Sequence, residues 1–116
     1  MSRNIQTIET YLDGFRKNDH AQILSCLTDD VVWDLHGYTR LRGKGAFDAE
    51  IQNDAFVGTP TLTVDRLVEE DDCVVAVGGG RATRRDGGTL AFVFCDVFTF
   101  AGEAIRRVET YQVNLD

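Results

Sequence analysis

One proline, one methionine, two histidines and three cysteines are a thin supply of residues that interrupt strands, cross-link small folds or hold metal ions. The single proline, Pro60, leaves no proline-rich linker, and no low-complexity segment or internal repeat divides the chain. No run of 18 apolar residues occurs, which excludes a membrane-spanning helix. The first residues carry no basic, hydrophobic leader, an argument against secretion and for a cytoplasmic protein. Cys26, Cys73 and Cys95 are odd in number, far apart and set among apolar residues, so they read as reduced, buried thiols rather than a disulfide frame. No CxxC pair or His/Cys cluster is present, and neither a metal nor another cofactor is expected. Positive charge is also scarce: 12 Lys and Arg stand against 19 Asp and Glu, a net charge of −7. That balance argues against nucleic acid, whose binding depends on neutralising phosphates. The only basic concentrations, Arg84-Arg85 and Arg106-Arg107, read as solvated strand ends.

What remains describes a globular chain of ordinary composition, 43% hydrophobic and 27% charged, and its 116 residues make one domain spanning 1–116. Ile5, Ile8, Leu12 and Phe15 recur at helical spacing from residue 3 to about 17, with Tyr11 on the same stripe. Asn18-Asp19 breaks the pattern, and Asp19 with Gln22 forms a capping pair opening a second, short helix that Thr28-Asp29-Asp30 ends. Residues 31–36, VVWDLH, read as a strand stopped by Gly37, with Trp33 and Leu35 on one face and Asp34 and His36 on the other. A loop from Gly37 to Gly43 leads to a third helix, Lys44 to about Asn53, in which Ala46, Phe47, Glu50 and Ile51 share a face. Asp54 to Pro60 reads as a loop with an apolar tip at Phe56 and Val57, able to flap over a cavity.

The rest is strand. Thr61–Glu69 and Cys73–Arg84 are joined by the turn Glu70-Asp71-Asp72. Gly78-Gly79-Gly80 inside the second strand predicts a bend, a bulge or a close backbone approach, and not a phosphate loop, because no helix follows. Asp86-Gly87-Gly88 is a hairpin turn, and Ile105–Val113 closes the sheet after Gly102. On that last strand Glu109 and Tyr111 share one face, and Val108, Thr110 and Gln112 the other; either assignment to the interior is open. Helices first and antiparallel strands last make an α+β protein with its helices on one face of a sheet.

Between them lies the most informative stretch, Ala91–Ala101, AFVFCDVFTFA. At strand period one face carries Phe92, Phe94, Asp96, Phe98 and Phe100, and the other face is apolar as well. Such a strand is covered on both sides. Asp96 then sits where an ionised carboxylate is costly, and it must find partners or stay protonated.

The order of elements, with LTDDVVWDLHG at 27–37, LRGKGAFDAEI at 41–51 and FCDVFTFAGEAIRRVETYQV at 94–113, resembles the nuclear transport factor 2-like superfamily, and within it SnoaL-like and ketosteroid isomerase-like proteins. The resemblance covers nearly the whole chain. It implies a cone-shaped fold in which three N-terminal helices pack on a strongly curved, mostly antiparallel sheet that encloses a hydrophobic pocket. Tyr11, eight residues before Asp19, and Asp96, in a D-x-F-x-F context, match the isomerases' tyrosine and protonated aspartate. In that family the two hydrogen-bond a carbonyl oxygen as it becomes enolate-like. The family's general-base aspartate falls here on Leu35, flanked by Asp34 and His36, and a bulge before Gly37 would bring one of these inward as the proton carrier. Phe15, Trp33, Leu35, Phe47, Phe56, Phe94, Phe98 and Tyr111 are the expected lining.

Relatives of the limonene epoxide hydrolase type need an Asp-Arg-Asp set, and the matching positions here are Val77, Gly79 and Val113. Scytalone dehydratase-like chemistry needs histidines in the pocket, whereas His20 opens a helix and reads as exposed.

Two functions follow from the resemblance. One is an isomerase or cyclase-type enzyme that stabilises an enolate-like intermediate of a small apolar carbonyl compound, with Tyr11 and Asp96 on the oxygen and His36 or Asp34 moving the proton. The other is a non-catalytic module holding an apolar ligand in the same cavity. In both, the outer sheet face implies a homodimer. A protein-interaction domain of the transport-factor kind is a third reading, which the lack of a strongly apolar exposed stretch disfavours.

Overall fold

The structure, a computed structural model, describes residues 2–51 and 55–115. Helix α1, Arg3–Lys17, starts at Ser2, whose hydroxyl accepts from the Ile5 amide at 3.0 Å, and stops at Asn18 in the left-handed region. Asp19 then caps α2, His20–Leu24, by accepting from the Gln22 amide at 3.1 Å. The Gln22 side chain turns back to donate to the Thr10 carbonyl at 2.8 Å, fastening α2 to α1. Helix α3 covers Gly43–Ile51.

Six strands form one sheet in the order β2-β1-β6-β5-β4-β3. They are β1 Leu27–Leu35, β2 Thr39–Arg42, β3 Phe56–Glu70, β4 Cys73–Arg84, β5 Thr89–Ala101 and β6 Ala104–Leu115. All neighbours are antiparallel except β1 and β6, which run parallel. Beneath the helices the inner face buries Val74 and Ala76 of β4, Phe98 of β5 and Val108 of β6 against Ile8, Tyr11 and Phe47.

The fold departs from the sequence expectation in three places. Thr39–Arg42 is a strand, since it pairs with Val32–Leu35 and extends the sheet by one edge. The second helix ends at Leu24, and Thr28-Asp29-Asp30 already runs in β1, with the Leu27 end paired to Ile105. Phe56–Pro60 belongs to β3, an edge strand, where a proline costs no interior ladder bond. Asn53 and Asp54, the expected end of the third helix and start of the loop, lie outside the described residues.

The glycine run explains how β3 and β4 bend together. The register of β3 slips between Val57 and Thr61 and again between Val64 and Arg66, so the extra residues bulge on β3. Gly78 and Gly80 take the resulting backbone approach: a Cβ on Gly78 would lie 2.1 Å from the Thr63 carbonyl oxygen, and one on Gly80 2.4 Å from that of Thr61. Glycine is required there for space.

Gly78→Ala is therefore expected to lower stability by about 2–3 kcal/mol, because backbone must move to admit the methyl group. Urea unfolding followed by circular dichroism measures this, and a midpoint equal to wild type would contradict the close approach.

Candidate functional site

A cavity of about 510 Å³ opens between the helices and the inner face of the sheet. Tyr11 and Phe15 of α1 form one wall, with the two rings edge to face at 5.0 Å. Trp33 and Leu35 of β1 form the next. Phe56, Pro60 and Leu62 of β3 face them. Leu90, Phe92 and Phe94 of β5 line the side over the β4 glycines. Polar groups are few: Asp96 and Thr110, then Glu50, Gln112 and Asn114, with His36 and Tyr38 where β1 ends. Among the described residues no lysine or arginine lines the cavity.

Asp96 is the focus of this lining. It lies between Ala76 of β4 and Thr110 of β6 in the ladder, and its side chain shares the inner face with both. Trp33 donates from Nε1 to the Thr110 hydroxyl at 2.9 Å, which fixes that hydroxyl as acceptor toward the indole. A hydrogen-bonding interaction with Thr110 draws the Asp96 pKa down, but removal from water outweighs it, and the carboxyl is pushed up from the ordinary range to about 7. Oδ1 of Asp96 is shielded from solvent and has no hydrogen-bond partner among the described residues. Buried polar atoms are seldom left so.

Tyr11 is fully buried by its ring, with Phe98 edge-on at 5.2 Å. Burial first, then the negative charge of Asp96 and of Cys26, push its phenol well above the usual range. It stays a neutral donor. Tyr11 and Asp96 thus meet at one cavity, as do Phe15, Trp33, Leu35, His36, Phe56 and Phe94.

Four expected site residues lie elsewhere. Asp34 is 4% exposed, yet it faces the outer side of the sheet, covered by Arg40 of β2 and by Arg107 of β6, whose NH2 stands 2.5 Å from Oδ2. Loss of hydration alone would raise its pKa, but the two guanidinium groups prevail and lower it. Asp34 is a clamp across three strands, and Arg107 is no solvated strand end. Phe47 is fully buried and stacked on Trp33 at 4.2 Å, behind the wall rather than in it. Phe98 is closed off the same way under Tyr11. Tyr111 is 47% exposed on the outer face, because Thr110 takes the inner one. His36 sits at the rim with its ring stacked on Tyr111 at 4.4 Å. His20 is half-buried and pairs with Asp48 at 2.5 Å, so it is not the exposed residue expected.

Thr110 was legible only as one of two possible faces of the last strand. Glu50 carried a signal, a carboxylate on the apolar stripe of its helix. Val77 and Val113, two of the epoxide-hydrolase positions, fall on the outer face opposite the cavity side. Among the described residues no group of three His, Cys, Asp or Glu side chains could hold a metal ion, and no helix is long and apolar enough to cross a membrane.

Comparison with known proteins adds a family. The model of the SnoaL-like domain matches residues 8–108. No curated protein matches the chain. Among solved structures, an NTF2-like protein of unknown function from Burkholderia pseudomallei is 24% identical, with a TM-score of 0.86, covering 96% of this chain and 91% of its own. TerC co-crystallised with polyporic acid is 25% identical, TM-score 0.83, with coverage of 95% and 91%. An LEH-like epoxide hydrolase of M. tuberculosis is 18% identical, TM-score 0.84, with coverage of 96% and 83%; at that identity the likeness is one of fold.

Asp96 makes stability depend on pH. Its folded pKa of about 7 exceeds the unfolded value near 3.9, so the native state binds the extra proton between those values. The stabilisation is complete below about pH 4 and is lost as pH rises through about 7, by at most about 4 kcal/mol. Urea midpoints measured from pH 4.5 to 8.5 should fall through this window in wild type and fall less in Asp96→Asn; equal slopes would place the titration elsewhere.

Proposed function

Because the chain belongs to the SnoaL-like domain family, we propose that it is a small-molecule pocket protein of the isomerase or cyclase type, which binds an apolar carbonyl compound and stabilises its enolate-like form. The observation that carries this reading is the orphaned Oδ1 of Asp96 at an aromatic cavity. A carboxyl that is substantially protonated at neutral pH presents an O–H to a ligand oxygen, and Tyr11 supplies a second neutral donor. Both donors strengthen their hold as charge accumulates on that oxygen, which favours the enolate over the ketone. The aromatic walls of Phe15, Trp33, Phe92 and Phe94 suit a flat apolar body. That a fold relative, TerC, was co-crystallised with polyporic acid supports a small organic ligand. Leu35 stands at the family's base position, which favours the non-catalytic binding module as the second reading.

The ligand is held by a homodimer in this proposal. Val93, Tyr111, Val113 and Leu115 are exposed together on the outer face of β5 and β6, with Val113 at 60%. Monomers seldom leave such a stripe open. A second copy covers it most simply, because a two-fold axis sets the same apolar face against itself.

Two measurements test these statements. 4-Nitrophenol, whose planar oxyanion has the shape of an enolate, should bind wild type with a shifted phenolate absorbance. Asp96→Asn and Tyr11→Phe should each weaken that binding about tenfold or more with unchanged circular dichroism; equal affinity in both would remove the donor assignment. Analytical ultracentrifugation should give a dimer for wild type and a monomer for Val113→Lys, and a monomeric wild type would leave the outer face without this partner.

A further inference from the structure

The geometry points to Glu50 as the general base that Leu35 cannot be, a role that rests on the carbonyl-pocket reading above. Helix α3 is held against β1 by Phe47, one turn before Glu50, with its ring stacked on Trp33 at 4.2 Å. Fixing Phe47 behind the cavity wall brings Glu50, three residues on, to the cavity itself, since these positions share a helix face. The other ionic groups of α3 are engaged: Lys44 with Asp29 at 3.6 Å and Asp48 with His20 at 2.5 Å. Glu50 is half-buried and has no hydrogen bond or ion pair among the described residues. Partial loss of hydration alone raises its pKa. A carboxylate in this state is a stronger base than one in water.

The competing proton carriers are disposed otherwise. Asp34 is clamped by two arginines outside the sheet, and His36 stacks on Tyr111 at the rim. The titratable and charged groups on the surrounding elements are Tyr11, His36, Tyr38 and Asp96 at the cavity, His20 of α2, Asp29, Asp30 and Asp34 of β1, and Arg40 and Arg42 of β2. Of these, Asp96 and Tyr11 are the pair assigned above to the substrate oxygen.

The step is redox-neutral. A Glu50 oxygen takes the proton from the carbon next to the carbonyl, the C–H electron pair becomes a carbon–carbon double bond, and the carbonyl π pair moves to oxygen beside Asp96 and Tyr11. Return of the proton from Glu50 to the same carbon, or to a conjugated one, completes exchange or isomerisation. No oxidant or metal takes part in this bookkeeping.

5-Nitrobenzisoxazole tests the base without knowledge of the natural substrate. A base removes its ring C–H proton, that electron pair forms the nitrile, the N–O bond breaks, and the phenolate product is read by absorbance. Wild type should exceed an equal concentration of acetate, with an apparent pKa above that of an ordinary glutamate. Glu50→Gln should lose about 100-fold or more with unchanged circular dichroism. Glu69→Gln, an exposed carboxylate remote from the cavity, should retain the rate within about threefold, and Asp96→Asn should slow it while keeping the pH midpoint. A wild type no faster than acetate, or a Glu50→Gln variant within about threefold of wild type, overturns the assignment. If 4-nitrophenol binding depends on Asp96 while this rate ignores Glu50, the base is wrong and the oxygen site stands; the reverse result sinks the oxygen site and keeps the base.

Discussion

Water is what the Asp96 carboxyl lacks, and the surrounding architecture follows from how that loss is met. The carboxyl sits on a strand whose neighbours on the same face are phenylalanines, and its cross-strand partner Thr110 is already engaged by the Trp33 indole. Thr110 therefore gives partial relief only, and one carboxyl oxygen is left without a partner. An unmet buried acceptor costs about 1–3 kcal/mol. Protonation removes the charge but leaves a donor with nothing to donate to. In the proposed function a ligand oxygen completes the set.

Holding that group in place requires the sheet to be rigid where it parts company with the helices. The Asp34 clamp does this from behind. Its two carboxyl oxygens take Arg40 of β2 and Arg107 of β6, so one buried acid joins three adjacent strands, including the parallel pair β1 and β6. Trp33, the preceding residue on β1, points the opposite way, to Thr110 and Phe47. Alternation along one strand thus ties an outer ionic contact to the inner hydrogen bond that orients the site.

This alternation also decides what the sequence could disclose. Asp96 stood out as the one carboxylate on an otherwise apolar strand, which periodicity detects, whereas Tyr11 lay on an apolar helical stripe and was singled out only by the family resemblance. The sheet order, with β6 inserted between β1 and β5, joins residues far apart in the chain and leaves no local mark. The face of β6 that meets the cavity depended on that pairing, and Tyr111 was placed inward in consequence. Asp34 illustrates the same limit from the other side: beside Leu35 it resembles a displaced catalytic acid, and only the arrival of Arg107, from the far end of the chain, makes it a structural ion pair. Phe47 and Phe98 were correctly apolar and interior, but depth behind a wall is a tertiary property. Short β2 escaped detection because the four residues Thr39–Arg42, bounded by glycines and carrying two arginines, are too few to show a strand period, and only pairing with β1 defines them as strand.

The glycines of β4 have a consequence for how this cavity can differ in shape between relatives. Side chains cannot grow from Gly78 or Gly80 without displacing the β3 backbone, so the sheet floor beneath Phe92 and Phe94 is a fixed surface. Remodelling falls to the rest of the lining, where α3 and the Phe56–Leu62 stretch of β3 supply removable side chains. A library aimed at new ligands should leave the floor untouched and vary that wall. Volume would then change while the Asp96 end kept its position.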